Sequence, residues 1–234
     1  MLARLFCFAV ILLFPRLALA ADPQAEAPPP ACAPKDWKEV EEWREWVNRS
    51  PPGNAESWAK EARRIGNTRE VWRWLDRLYL AADGGKVVTL ADCSFGDNLR
   101  FYLYERYDSP GSFHVVRTTY YEDHEFALVM KKTGKLFKIP ALPIWSPDKT
   151  RFAYGVCDQM NAKDDIAILR PAGDGLKAEV EGHMPCGMGE CKVAWESATV
   201  LAATCPKAGD QGKEHKVMRY TRSGENWTAT TSSR

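Results

Sequence analysis

The densest group of side chains that could do chemistry lies between His183 and Cys191, in the sequence HMPCGMGEC. Imidazole, thioether and thiol groups are soft ligands of the kind that Cu(I) prefers. The five candidate ligands of such a site are His183, Met184, Cys186, Met188 and Cys191. The stretch therefore predicts, as one hypothesis, a copper site in which each ligand comes from the same loop.

The same stretch has a second interpretation, a disulfide that closes the small loop between Cys186 and Cys191. Gly187 and Gly189 would permit the tight turn that such a loop needs. A bond from either cysteine to Cys157 or Cys205 is an alternative pairing. Oxidised cysteines are poor thiolate ligands, so the disulfide and copper hypotheses largely exclude each other, and the disulfide is favoured. The spacing does not fit a zinc site, which needs four convergent ligands.

A second polar cluster, from Glu122 to Glu125, places three carboxylates around His124. Paired carboxylates can exchange protons or bind a hard cation. The four residues are consecutive and stand between two strand-like runs, which favours a solvated turn. The chain also lacks a nucleophile-elbow motif, a Walker loop, a dinucleotide fingerprint and a zinc-protease pair of histidines. We therefore predict no catalytic residue.

The compartment of the protein is indicated by its first twenty residues. A short positive start precedes the apolar run Leu5–Phe14, and Ala18 and Ala20 supply the small residues that a signal peptidase reads. Ten apolar residues are too few to span a bilayer, which needs about 20. We expect cleavage after Ala20, a periplasmic or secreted protein, and no stable membrane insertion afterwards.

Six cysteines remain after cleavage, and their even number in an exported chain favours disulfides. They are Cys32, Cys93, Cys157, Cys186, Cys191 and Cys205. Six cysteines allow 15 pairings. We consider Cys157–Cys205 and Cys32–Cys93, besides the Cys186–Cys191 loop. Losing Arg4 and Arg16 leaves 30 basic against 31 acidic residues, a balance that gives no electrostatic basis for binding nucleic acid.

The chain preceding residue 84 divides into a Pro-rich tether over 21–35 and a helical segment over 36–83, with about three short helices. The first helix would begin at Asp36, the second would carry Trp58, Ala62 and Ile65, and the third would begin at Thr68. Val71, Leu75, Leu78, Tyr79 and Ala82 fall at helical spacing in the third. We expect the flanking Trp72 and Trp74 to pack on the sheet that follows; an aromatic ligand surface is the alternative.

From residue 84 to 234, short runs rich in Val, Ile, Phe, Tyr and Thr alternate with turn signals, which predicts an antiparallel β domain. Three related units are expected near 84–121, 143–182 and 193–231. Trp145 and Trp195 are 50 positions apart, and Cys157 and Cys205 are 48 apart. A period near 50 residues fits one four-stranded sheet of propeller-blade size. The predicted fold class is mainly β with an N-terminal helical segment, as a partial propeller or a sandwich.

One segment carries a family resemblance. Trp145-Ser146-Pro147-Asp148, followed by Arg151 to Tyr154, resembles the W-S-P-D-G repeat of TolB-type (PD40) β-propellers, although Lys149 stands where the usual Gly would be. The resemblance implies that the Ser-Pro-Asp turn joins two strands of a blade. It also implies a periplasmic or extracellular binding platform.

The leading functional hypothesis is an exported, disulfide-stabilised, non-enzymatic binding module that contacts an envelope protein or polymer. A rigid β scaffold with loops and no catalytic motif is the basis for it. A periplasmic copper-binding protein is the first alternative. A hydrolase whose site is assembled only by folding is the second, and it would require a pocket with convergent polar groups.

Overall fold

The computed structural model describes residues 54–74, 76–93, 100–120, 123–157, 165–184, 191–206 and 215–233. Over these ranges one α-helix precedes fifteen strands, which form four antiparallel sheets. The predicted fold class, mainly β with an N-terminal helical segment, is confirmed. The tether, the first predicted helix, Cys32, Cys186 and Met188 lie outside the described residues.

The helix α1 spans Asn54–Ile65 and corresponds to the second predicted helix. Gly66 follows the helix, and its φ of +56° is the left-handed conformation that glycine adopts without a steric cost. The Gly66 N–H donates to the carbonyl of Ala62 at 3.0 Å. Within the described ranges, no helix is long and apolar enough to cross a membrane.

The first sheet occupies the place of the third predicted helix. Its strands are β1 (Val71–Trp74), β2 (Arg77–Ala81) and β3 (Val87–Ala91), in spatial order β1-β2-β3. Val71, Leu78 and Leu80 are buried on one face. Their spacing is compatible with a helix, but the strand alternation is obscured because Arg73 occupies an inward position and Trp72 and Trp74 occupy outward positions.

The other three sheets contain four strands each, connected in simple meanders. The second sheet comprises β4 (Phe101–Asp108), β5 (Phe113–Thr119), β6 (His124–Met130) and β7 (Leu136–Ile139). The third comprises β8 (Ile144–Trp145), β9 (Phe152–Gly155), β10 (Asp165–Ala172) and β11 (Gly175–His183). The fourth comprises β12 (Lys192–Ser197), β13 (Val200–Pro206), β14 (His215–Ser223) and β15 (Asn226–Ser233).

Three buried clusters join consecutive sheets. Leu78 and Leu80 of the first sheet pack with Tyr104 and Val116 of the second. The opposite face of the second sheet packs on the third through Phe113 and Phe152, whose ring centroids are 5.8 Å apart. A third cluster joins the third and fourth sheets. The two middle sheets are thus buried on both faces, which explains their continuous apolar runs.

The last two predicted repeats, 143–182 and 193–231, coincide with the third and fourth sheets. Trp145 and Trp195 lie on the first strand of each. The predicted first repeat, 84–121, instead spans strands of two sheets, because β3 belongs to the first sheet and β4 and β5 belong to the second. The local sequence similarity therefore does not follow the sheet boundary.

A tight turn joins β8 to β9 at Ser146–Arg151, as the propeller resemblance implies. The Ser146 hydroxyl donates to Asp148 Oδ1 at 2.6 Å and lies 2.9 Å from the Arg151 carbonyl. Asp148 also accepts from the Thr150 N–H at 3.2 Å. Lys149 has a φ of +58°, which accounts for the glycine in the family pattern at this position.

Candidate functional site

The outer face of the first sheet carries an exposed aromatic patch, which we define as Trp72, Trp74 and Tyr79. Trp74 is 67 % exposed and Trp72 is 39 % exposed. The expectation that these tryptophans pack on the following sheet is therefore wrong, because strand alternation turns Val71 and Arg73 inward and both tryptophans outward. The alternative, an aromatic surface, agrees with this exposure.

The patch is ordered by strand pairing. Trp72 lies directly opposite Tyr79 in the β1–β2 register, and their rings stack with centroids 5.2 Å apart and planes inclined by only 5°. Trp74 lies opposite Arg77, which adds a cationic group at the edge of the patch. Among the described strands, β1 pairs only with β2, so its other edge is an open sheet edge.

A buried ion-pair network fixes β1 beneath the patch. Arg73 Nε lies 2.7 Å from Glu61 Oε2 on α1, and Arg73 Nη1 lies 2.9 Å from Asp92 Oδ2. Arg73 also donates to the Tyr102 carbonyl, whose own N–H donates to Asp92 Oδ1 at 2.8 Å. Burial raises the pKa of Asp92 to about 7, although Arg73 and the Tyr102 N–H favour its charged form.

This network was not anticipated from sequence. Glu61, Arg73 and Asp92 are 12 and 19 positions apart and share no motif. A charged residue at an inward strand position is the one local signal, and it becomes visible only after the strand assignment is known. The network ties α1, the first sheet and the second sheet together, and it thereby holds the aromatic patch in place.

The predicted copper ligands separate in the structure. The His183 side chain is 86 % exposed, and its Nδ1 lies 3.0 Å from Asp165 Oδ1. Met184 is buried, and Cys191 is bonded to Cys157 with their Cα atoms 5.9 Å apart. The predicted pairings Cys186–Cys191 and Cys157–Cys205 are therefore wrong, and the alternative bond from the loop to Cys157 is confirmed. The strand ends, not the loop glycines, determine which sulfurs meet.

Three cysteines and one methionine nevertheless form a sulfur cluster, defined as Cys157, Cys191, Cys205 and Met184. Cys205 Sγ lies 3.9 Å from Cys157 Sγ and 3.9 Å from Met184 Sδ. The three cysteine sulfurs all lie within 4.8 Å of one another. Cys93 is also disulfide-bonded, and its predicted pairing with Cys32 concerns a residue outside the described ranges.

The described residues of the predicted acidic cluster lie at the start of β6: Asp123 precedes the strand, and His124 and Glu125 are its first two residues. Asp123 Oδ1 accepts from the His124 N–H at 2.7 Å, and Glu125 lies 2.7 Å from Lys138 Nζ. Glu125 also accepts from the Tyr120 hydroxyl. These contacts satisfy the described carboxylates locally. The predicted turn holds for Asp123 only, because His124 and Glu125 pair with Thr119 and Thr118 of β5. Glu122 lies outside the described residues.

No family model, no curated protein and no solved structure matches this chain. The propeller resemblance therefore remains a resemblance of one segment.

Proposed function

We propose that the protein is an exported, disulfide-stabilised binding module of the bacterial envelope, and that it binds a protein partner at the aromatic patch. The observation that carries the proposal is the exposure of two tryptophans on one face of β1, beside a sheet edge that no described strand covers. Contiguous exposed apolar patches on soluble proteins often mark sites of interaction with other proteins.

The composition of the patch supports a protein partner. Trp, Tyr and Arg are the residues that most often dominate the binding energy of protein interfaces, and the patch combines Trp72, Trp74 and Tyr79 with Arg77. An extended segment of the partner could add a strand to the open edge of β1, so that backbone hydrogen bonds supply affinity and the tryptophans supply specificity.

The scaffold beneath the patch supports the same proposal. The buried network of Arg73 with Glu61 and Asp92 anchors β1 from its inner face. The stacking of Trp72 on Tyr79 restricts their side chains before a partner binds. A restricted binding surface loses less conformational entropy on association. The signal-like N-terminus and the disulfide between Cys157 and Cys191 fit an oxidising compartment.

Site-specific photo-crosslinking in bacterial cells that export the protein to the periplasm tests this proposal. A photoreactive amino acid at Thr89, which lies opposite Tyr79 on β3, should yield one discrete protein adduct. The double variant Trp72→Thr, Trp74→Thr keeps β-forming side chains and should lose the adduct without unfolding. Tyr107→Thr removes a similarly exposed aromatic, 41 % exposed, from the second sheet and should keep it.

Two further outcomes decide against the proposal. An adduct that persists in the double variant would place the contact elsewhere. Tryptophan-dependent sedimentation with purified cell-wall polymer, in the absence of a protein adduct, would replace the protein partner with the polymer.

Soft-metal binding is a second candidate function, and the sulfur cluster is the observation that favours it. Ligand sulfurs around an ion with bonds of about 2.3 Å are separated by about 3.8–4.0 Å. Cys205 Sγ lies 3.9 Å from both Cys157 Sγ and Met184 Sδ, whereas Cys157 and Cys191 are joined by a disulfide. A dithiol reductant would first transfer two electrons and two protons to Cys157 and Cys191 and itself become a disulfide. This site shares Met184 and Cys191 with the predicted one and adds Cys157 and Cys205, but it does not include His183, and the predicted ligands Cys186 and Met188 lie outside the described residues.

Anaerobic titration with Cu(I) against a chromophoric chelator tests this second function. The reduced protein should bind one Cu(I) that protects Cys157, Cys191 and Cys205 from alkylation, and the oxidised protein should bind none. Equal alkylation of those three cysteines with and without Cu(I) would exclude the site. The hydrolase alternative gains no support from the cavity of about 660 Å³ beside β11, whose lining contains no histidine and no residue of the 122–125 cluster.

A further inference from the structure

A basic cavity lies at one end of the boundary between the third and fourth sheets. Its volume is about 660 Å³, within the range of small-molecule sites. Residues of β10, β11 and β14 and of the turns beside them line it. The charged lining residues are Arg151, Arg170, Lys177, Arg222, Glu179 and Glu225. Four cationic groups against two carboxylates make the cavity electropositive.

Glu179 forms ion pairs with two of these cations, through two nitrogens of Arg151 and one nitrogen of Arg170. Arg151 Nε lies 2.6 Å from Glu179 Oε2, and Arg151 Nη2 donates to Oε1 at 3.2 Å. Arg170 Nε lies 3.1 Å from Glu179 Oε1. Burial raises the pKa of Glu179, but hydrogen bonds from Arg151 and Trp227 outweigh it, and the pKa lies below its ordinary value. Glu179 is therefore a fixed negative charge that neutralises Arg151.

In the described part of the chain, the remaining cations form no such ion pair, although the charge of Arg222 also contributes to the lowered pKa of Glu179. Within the described ranges, Lys177 and Arg222 form no ion pair, and Arg170 uses only its Nε. Arg222 Nε is shielded from solvent and has no hydrogen-bond partner among the described residues. A buried donor left unsatisfied is unfavourable, and more so when the group is charged. Glu225 is exposed in the β14–β15 turn and does not contact Arg222 as an ion pair.

Contacts in the cavity walls restrain Arg151, and strand pairing places Arg222 beside Trp227. Trp227 lies opposite Arg222 in the β14–β15 register and donates from its Nε1 to Glu179 Oε2 at 3.1 Å. Arg151 Nη1 donates to Thr150 Oγ1 at 2.8 Å. The same network therefore links the third sheet to the fourth, and Arg222 and Arg170 line the same cavity. Fixed cations facing a common space are the usual arrangement for binding an oxyanion.

We propose that this cavity binds a phosphate-bearing ligand through Arg222, Lys177 and the terminal amino groups of Arg170. Guanidinium groups match the oxygens of a phosphate in a bidentate geometry, and a lysine adds a mobile point charge. A doubly charged phosphate would balance the excess of two positive charges in the lining. The phosphate could belong to a soluble metabolite or to the headgroup of an anionic lipid.

Calorimetric titration with inorganic pyrophosphate tests the site in the full-length protein. We expect saturable binding that weakens with added salt, since charge attraction provides most of it. Arg222→Gln and Lys177→Gln should each weaken binding by about tenfold or more. Both leave the Arg151–Glu179 pair intact. Lys192→Gln, which removes an exposed lysine of β12 outside the cavity, is the matched control and should bind as the wild type does.

Vesicle binding distinguishes the two sources of phosphate. If a lipid headgroup is the ligand, vesicles of phosphatidylglycerol and phosphatidylcholine should bind the wild-type protein but not the variant Arg222→Gln. Saturable pyrophosphate binding without vesicle binding indicates a soluble ligand. Absence of both, or equal binding by the wild type and Arg222→Gln, would overturn the proposal. This site is separate from the aromatic patch, so the double tryptophan variant should bind pyrophosphate normally.

Discussion

Replacing Arg73 with leucine should strongly destabilise the fold while leaving the aromatic patch chemically unchanged. The guanidinium contacts Glu61 at 2.7 Å and Asp92 at 2.9 Å, and the three side chains are only 3–10 % exposed. Removing one partner of a buried ion pair costs about 3–5 kcal/mol, because the remaining charges are left without compensation. That loss is a large part of the about 5–15 kcal/mol by which domains are stable.

The assay is urea unfolding followed by tryptophan fluorescence. With a slope of about 2 kcal/mol per molar urea, a loss of 4 kcal/mol lowers the midpoint by about 2 M. The triple variant Arg73→Leu, Glu61→Gln, Asp92→Asn removes the stranded charges and should recover part of the loss. Lys132→Gln breaks the fully exposed pair with Asp174 and should leave the midpoint unchanged within error.

The pH dependence gives a second readout of the same network. Burial raises the pKa of Asp92 from 3.8 to about 7, so its contribution to stability is present below about pH 4 and is lost as the pH rises to about 7. Without Arg73 the carboxylate becomes still less favourable, and the destabilisation should be larger at pH 8 than at pH 5. A midpoint shift below about 0.5 M, or a triple variant no more stable than Arg73→Leu, would refute the reasoning.

Three further predictions concern the turn, the disulfide and a buried histidine. Lys149→Gly should raise the free energy of unfolding by about 1 kcal/mol, because Lys149 has a φ of +58°; an unchanged or lower urea midpoint would contradict this. The double variant Cys157→Ser, Cys191→Ser should cost about 2–4 kcal/mol in urea unfolding, because the bond closes a loop across 34 positions; a loss below about 1 kcal/mol would be inconsistent. Burial, helped by Lys131, lowers the pKa of His114. The neutral histidine therefore stabilises the fold fully above about pH 6.5, and this stabilisation is lost as the pH falls. The variant His114→Phe should lose less free energy of unfolding between about pH 7 and about pH 5 than the wild type does. Parallel pH profiles of the two proteins would argue against this.

Local patterns predicted the elements whose stability is local. The helix with Trp58, Ala62 and Ile65 ends at Gly66 as expected, because a glycine in the left-handed conformation closes a helix regardless of its surroundings. The turn at Ser146–Asp148 joins two strands because its hydrogen bonds lie within six residues. Period-two alternation and turn signals likewise indicated the β class from Val87 onward.

Contacts between distant residues decided the rest. Val71 to Ala82 has apolar residues at helical spacing, yet Arg73 meets Glu61 and Asp92 only when β1 and β2 form a hairpin against α1. The exposure of Trp72 and Trp74 follows from that choice. Cys191 bonds to Cys157 rather than within its own loop, because the ends of β9 and β12 meet at the boundary between two sheets.

The copper hypothesis likewise depends partly on local sequence and partly on contacts between distant residues. Sequence proximity grouped His183 with Met184 and Cys191, but His183 ends β11 with its side chain exposed, whereas Met184 is buried against Cys205. The sequence by itself determined the soft-ligand composition and the β class, and it predicts an export signal, because each depends on residue type or on short-range order. Only the tertiary structure determined which sulfurs, tryptophans and arginines face a common space, because those distances depend on how the sheets pack.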